Sequence, residues 1–595
     1  MIGTRIAAMF LCATLALPCL AASQATAPAL VEPNLAPTQA ASSAALNALA
    51  QQIQDDANRT YFAARMLARL PVDRFDDYSV AKVRDAVAQG KRWVVMLAAI
   101  KRDDLGDVDR ATYDILKFEL SGVGQDEQEY WLTLDLTPYQ APGNFNFAHQ
   151  VLAGHPFTNA QDAEHYVSLV ASYGAMLESL LQKLQTQTDR GIYIPRPALP
   201  VVRSTWTGIA AADLKPSDAR VAKLDPASRE RMGRELDRII ETSIEPRFAR
   251  LQTMIGEDYS AKAPDAVGIG QYPGGKEVYA KLIRRYTTLA LTPEQVHERG
   301  LAAVADVAAR MKAIRDQLGI VGSAREFYEK LRVDPRFTAK TPADVEATFM
   351  RYIGAIKPKI PFYFNNTPKA PYGVERLALA VEAGQTFGYY SPPTAAEPRG
   401  LYYYNASDLP NRSLLDAGSL IYHELVPGHH FHVALQEENP DLSPFRKKYS
   451  VGAYTEGWAE YAASLPIEMG LYDTPEANYG RYMSEMFLAA RLVVDTGMNH
   501  FGWPLEKARA YLHDVTSMSD TQIGSETLRY STNIPGQALG YRIGYEKMWE
   551  LRRRAERELG KKFDIRSFHD IVLKPGARPL PVLEVEVDGY IESQR

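Results

Sequence analysis

Cysteine is nearly absent. The 595 residues contain two, Cys12 and Cys19, both within the first twenty positions. The rest of the chain therefore has no disulfide framework, no thiol nucleophile and no thiolate metal site. Charge of one sign is missing too: 67 Lys and Arg stand against 72 Asp and Glu, a net charge of −5, which gives no basic surplus for nucleic acid. Beyond the N-terminus no apolar run is long enough to span a bilayer. There is no internal repeat and no Gly-x-Ser-x-Gly elbow of a serine hydrolase. The glycines after Tyr272-Pro273 precede Lys276 in what reads as a turn rather than a phosphate loop. A hydrophobic content of 46% with 23% charged residues excludes a mostly disordered, collagenous or fibrous chain.

What is present begins with an export signal. Arg5 precedes the apolar run Ile6–Leu17, and small residues follow. The run is about 12 residues, too short for a membrane-spanning helix. Residues 1–22 are therefore expected to be a secretory signal, cut after Ala22 or after Ala27. The mature protein is expected to be secreted or periplasmic, with no membrane span. Pro18 before Cys19 makes a poor lipidation site. Residues 23–45, rich in Ala, Pro and Ser, read as a linker. At about 150 residues per domain the length would suit four domains. No composition break follows residue 45, however, so 46–595 is expected to be one domain.

Helical signals dominate it. Thr292-Pro293-Glu294-Gln295 is a helix start with a capping threonine and proline at the first position. Behind it Leu301, Val304, Ala308, Met311 and Leu318 recur at helical spacing. Thr341-Pro342 opens another helix, with Val345, Phe349, Ile353 and Ile356 on one face. Residues 47–70, 162–188, 229–255, 455–469, 481–500 and 537–558 also read as helix. The best strand is 400–405, after the turn Ser391-Pro392-Pro393. Loops are expected near 193–200, 264–275 and 390–400. The fold class is mainly α with a small β-sheet.

Histidine is scarce, eleven in all, yet four fall in one stretch: His423, His429, His430 and His432. Imidazoles beside a carboxylate suit a borderline metal such as zinc. His423-Glu424 matches the zincin pattern, in which the histidine binds zinc and the glutamate is the base. The second histidine of that pattern lies four residues on, on the same helix face. Here that position is Pro427. Proline breaks the helix ladder and Gly428 lets the backbone bulge. Two looped-out residues would bring His429 into the second ligand position. His430 is the less favoured alternative, about 10.5 Å along a straight helix from His423. His432 is expected beside the site rather than in it. Glu456-Gly457-Trp458-Ala459 resembles the Glu-Gly-Phe-Ala segment of zinc aminopeptidases, where the glutamate is the third ligand. Glu460, one turn on, is placed to orient a histidine.

His423-Glu-Leu-Val-Pro-Gly-His-His430, Glu456-Gly-Trp-Ala-Glu-Tyr461 and Pro535-Gly-Gln-Ala-Leu-Gly-Tyr541 together resemble the bacterial family called domain of unknown function 885. Tyr272-Pro273-Gly274 and Leu291–His297 resemble its middle section. The resemblance covers roughly 45–595. It implies a gluzincin-like zinc peptidase, a large helical zincin-like domain with a small sheet beside a central substrate channel. It implies one zinc held by His423, His429 and Glu456, with Glu424 as general base. Short peptides are the expected substrates. Related helical zinc peptidases use a later tyrosine to stabilise the oxyanion, and Tyr541 is the candidate. Arg529 or Arg542 is a candidate partner for a substrate carboxylate, and Tyr402–Tyr404 for lining the cleft. The competing expectations are an inert metal-binding peptide receptor or scaffold and a hydrolase of a non-peptide amide.

Overall fold

A computed structural model describes residues 37–122, 126–382 and 388–595. The proposed signal and most of the linker lie outside the described residues. Among the described residues the fold is mainly α-helical with one three-stranded sheet. The helices follow their sequence signals. Thr292 and Thr341 each close a capping box, starting Pro293–Gln317 and Pro342–Ile356, where the side-chain oxygen satisfies a first-turn N–H. The helix read over 162–188 spans Ala160–Asp189. The one read over 229–255 is Pro226–Ile239, a π-helical turn at Ile240–Ile244, and Glu245–Met254. The helix read from 47 begins at Pro37 and runs to Thr60. Proline suits the first turn, and the alanines of 40–49 favour helix over coil.

The sheet has order β1-β3-β2. Here β1 is Tyr372–Arg376, β2 is Tyr389–Ser391 and β3 is Gly400–Tyr404. β1 pairs with β3 in parallel and β2 pairs with it antiparallel, Tyr390 opposite Tyr402. β1 and β2 carry no sequence signal of their own, being five and three residues long. The stretches expected as loops also hold short structure: 3₁₀ turns at Arg196–Ala198 and Ile269–Gln271, and a helix from Leu199.

The region of the candidate site is built from five helices. They are Ala417–Glu424, His429–Glu438, Gly452–Glu468, Pro475–Asn499 and Leu539–Leu559. Gly452–Glu468 is buried on nearly every side, as an apolar helix at the centre of a large protein must be. It packs closely on Leu539–Leu559, with small residues at the seam. A Cβ on Gly457 would lie 2.6 Å from the backbone of Gly544, and one on Gly544 would lie 2.0 Å from the Ala453 carbonyl oxygen. Only glycine permits that approach. Tyr461 meets Trp549 further along, ring centroids 5.1 Å apart. The two helices therefore run parallel, with Glu456 and Tyr541 at nearly the same level.

Candidate metal centre

The helix bearing His423 ends at Glu424, and the next begins at His429. Proline at 427 cannot continue the first helix. The turn between them is tight: a Cβ on Gly428 would sit 1.8 Å from the His423 carbonyl oxygen. Trp458, two residues from Glu456, donates its indole N–H to the Pro427 carbonyl at 3.0 Å. The chain thus folds back within one turn, and the His423 and His429 rings meet edge to face at 4.6 Å. The sequence had suggested a bulge within a continuing helix. The structure has a complete break, because both Pro427 and Gly428 leave the ladder.

His423, His429 and Glu456 each point one ligand atom into the same space, all within 4.8 Å of one another. The Nε2 atoms of His423 and His429 lie 3.4 and 3.5 Å from the same oxygen, Oε2 of Glu456. On the far side of His423, Glu460 Oε1 lies 2.9 Å from Nδ1. The other Glu460 oxygen accepts from Arg481 Nη1 at 2.8 Å. Arg481 has no solvent exposure and also donates to Ser419 on the His423 helix at 3.0 Å. A carboxylate behind a ligating imidazole fixes its orientation and tautomer.

The charges suit a cation. Glu424, Glu456 and Glu460 gather around His423. Burial favours the neutral form of Glu456, but His429 and His423 outweigh it and hold the carboxyl far below its usual range. Burial is likewise outweighed at Glu460, by Arg481 and His423, which lower it to about 2. Burial opposes charge on His423, but Glu460, Glu456 and Glu424 together raise its pKa well above normal. Glu424 differs: burial dominates and raises its carboxyl, with His423 and His429 offsetting only part. Two imidazole nitrogens and a carboxylate oxygen, backed by further negative charge, form a donor set that fits a divalent metal. The side chains of His423 and His429 are 12% exposed and that of Glu456 19%, so solvent reaches the group.

The remaining histidines are engaged elsewhere. His430 lies 3.0 Å from both the Tyr390 hydroxyl and the Ala370 carbonyl oxygen; it joins the helix to the sheet. His432 Nε2 lies 3.0 Å from Gln436 Oε1. Tyr541 does not share the cluster of the three ligand atoms. Its ring lies 5.0 Å from the Arg491 guanidinium, on the helix that packs against the Glu456 helix. Arg542 pairs with Glu546 at 2.8 Å and faces Glu485 at 3.6 Å. Tyr402 is buried and Tyr403 half-buried.

Sequence reasoning missed three contributors. Tyr390 stacks near His429, centroids 6.4 Å apart, and lies close enough to Glu424 to feel its charge. Its signal was faint, an aromatic pair before Pro392-Pro393. Trp458 stands in the motif that begins at Glu456, but its bond to Pro427 had no signal, and Arg481 had none at all, since each acts across helices distant in sequence.

The model of the family described as "Bacterial protein of unknown function (DUF885)" matches residues 40–587. This chain belongs to that family. Among solved structures, two proteins titled "putative lipoprotein" share the fold of this DUF885 chain. The one from Colwellia psychrerythraea is 23% identical, covers 93% of this chain and 99% of its own, and has a TM-score of 0.78. The one from Shewanella oneidensis is 18% identical, covers 91% and 99%, and has a TM-score of 0.74. An oligoendopeptidase F structure from Bacillus anthracis aligns at a TM-score of 0.28 and 11% identity, over 88% of this chain and 98% of its own, too low to establish a common fold. No curated protein matches this sequence.

Proposed function

We propose that this DUF885 protein is an exported zinc-dependent peptidase acting on short peptides. The observation that carries the reading is the convergence of His423, His429 and Glu456 within 4.8 Å, with Glu424 next to the first ligand. In this reading those three residues hold one zinc ion and His430 does not, its nitrogens being engaged by Tyr390 and Ala370. When bound, the ion supplies a Lewis acid that polarises a carbonyl and makes water more acidic.

The chain's own groups do the rest. Glu424 accepts a proton from the attacking water and passes it to the leaving amine. Burial raises its carboxyl, which moves it toward the range a general base and acid needs near neutral pH. Glu460 and Arg481 keep the His423 ring in place. Tyr541 is assigned the role of hydrogen-bond donor to the developing oxyanion. Export is supported by the Arg5 to Leu17 signal pattern and agrees with the lipoprotein titles of the two structural neighbours.

Glu424→Gln tests the mechanism. It is expected to abolish peptide hydrolysis while metal content stays at the wild-type level. Unchanged turnover in that variant would refute the role of Glu424.

A further inference from the structure

A second charged cluster lies beside Tyr541. Arg491 donates from Nε to the Tyr530 hydroxyl at 2.7 Å and from Nη2 to Glu526 Oε2 at 3.2 Å. Arg529 Nη1 donates to the other Glu526 oxygen at 3.3 Å. Tyr530 also donates to Glu526. Two guanidiniums thus share one carboxylate. The other carboxyl acting on Arg529, Asp495, is taken by Tyr279, Asn499 and the Gly536 N–H, and burial pushes it up to about 7. The cluster therefore carries surplus positive charge in a place with little water.

Arg529 is the group in it with capacity to spare. Its Nε is buried without a partner, and its Nη2 is held at 2.5 Å by Gln537, a neutral amide. Nε and Nη2 form the edge of a guanidinium that pairs bidentately with a carboxylate. The side chain keeps 14% exposure. Arg542 has no such edge free, since Glu546 and Glu485 face it.

One helix ties the cluster to the candidate metal centre. Pro475–Asn499 reaches Glu460 through Arg481 and Tyr541 through Arg491. These arginines are ten residues apart, about 15 Å of helix. Glu456 lies one turn from Glu460, about 6 Å closer to Tyr541. The cluster thus lies on the Tyr541 side of the ligands and is joined to them through this one helix.

Resting on the peptidase reading, we propose that Arg529, with Arg491, receives the C-terminal carboxylate of the substrate. The substrate class is then short peptides with a free C-terminus.

The test uses tetra-alanine and its C-terminal amide. Binding is measured by calorimetry on the full mature chain carrying Glu424→Gln, so that no turnover intervenes. The acid is expected to bind about 10- to 100-fold tighter than the amide, the range of a charge-assisted pair. Adding Arg529→Gln should erase the difference with metal content unchanged, and Arg529→Lys should restore part of it. Thermal midpoints check that both variants fold. Equal binding of acid and amide, or Arg529→Gln weakening both alike, overturns the proposal. Mass spectrometry of products from the unsubstituted enzyme separates the two claims. Arg529-dependent preference without hydrolysis keeps the carboxylate site and removes the peptidase reading. Hydrolysis without preference does the reverse.

Discussion

Replacing Gly544 with alanine probes how helix packing places Glu456, the third proposed metal ligand. The added Cβ would lie 2.0 Å from the Ala453 carbonyl oxygen and 2.8 Å from the Gly457 Cα. An ordinary carbon–oxygen contact is about 3.3 Å, so the helices must part by roughly 1 Å. Overpacking of this kind costs about 1–3 kcal/mol. Alanine also favours helix over glycine by about 1 kcal/mol, so the net loss is expected at about 0–2 kcal/mol. The larger effect falls on function. Glu456 adjoins Gly457 on the displaced helix, and a shift of about 1 Å at a catalytic group lowers turnover by about 100-fold. Urea unfolding measures the first effect; the rate of peptide hydrolysis, with competition for zinc by a chromophoric chelator beside it, measures the second. Gly233→Ala is the control, because a Cβ there meets nothing within 4 Å; it should stabilise slightly and leave zinc affinity unchanged. Gly544→Ala with native stability and native zinc affinity would refute the claim that this seam positions Glu456.

Two further predictions concern buried polar groups. Glu460→Gln keeps the shape but removes the charge 2.9 Å from His423 Nδ1; zinc affinity should fall about 10- to 100-fold in chelator competition, and an unchanged value would show that Glu460 does not tune the ligand. His569 is buried, its Nδ1 2.8 Å from the Tyr363 carbonyl and its Nε2 2.9 Å from the Tyr461 hydroxyl, and burial lowers its pKa to about 3. Its contribution is complete above the unfolded value of about 6.5 and is lost as pH falls toward 3, because the unfolded chain takes up the proton first. Between pH 7.5 and 5.5 the wild type should lose about 1.4 kcal/mol more stability than His569→Phe in urea unfolding; identical losses would contradict the assignment.

The parts of this protein legible in sequence are those written locally. Thr292 and Thr341 announce their helices because a cap needs only its own first turn. The ligand candidates are legible because two lie six residues apart and the third opens a recognisable segment. Pro427 and Gly428 signal a break, although not its completeness. What stays hidden is long-range. β1 is stabilised by parallel pairing with β3, and five residues carry no periodicity that foretells it. His430 looks like a ligand in sequence because nothing local says that Tyr390 and Ala370 engage it. Arg481 is fully buried because Glu460 and Glu485 meet it there, and neither spacing nor composition marks a buried arginine.

The central claim is that His423, His429 and Glu456 hold one metal ion. Elemental analysis of a chain starting at residue 23, purified without a histidine tag, tests it most directly. The account predicts about one zinc per chain, lost in His423→Ala and in Glu456→Ala. No bound metal after zinc is supplied, or zinc retained in both variants, would contradict it.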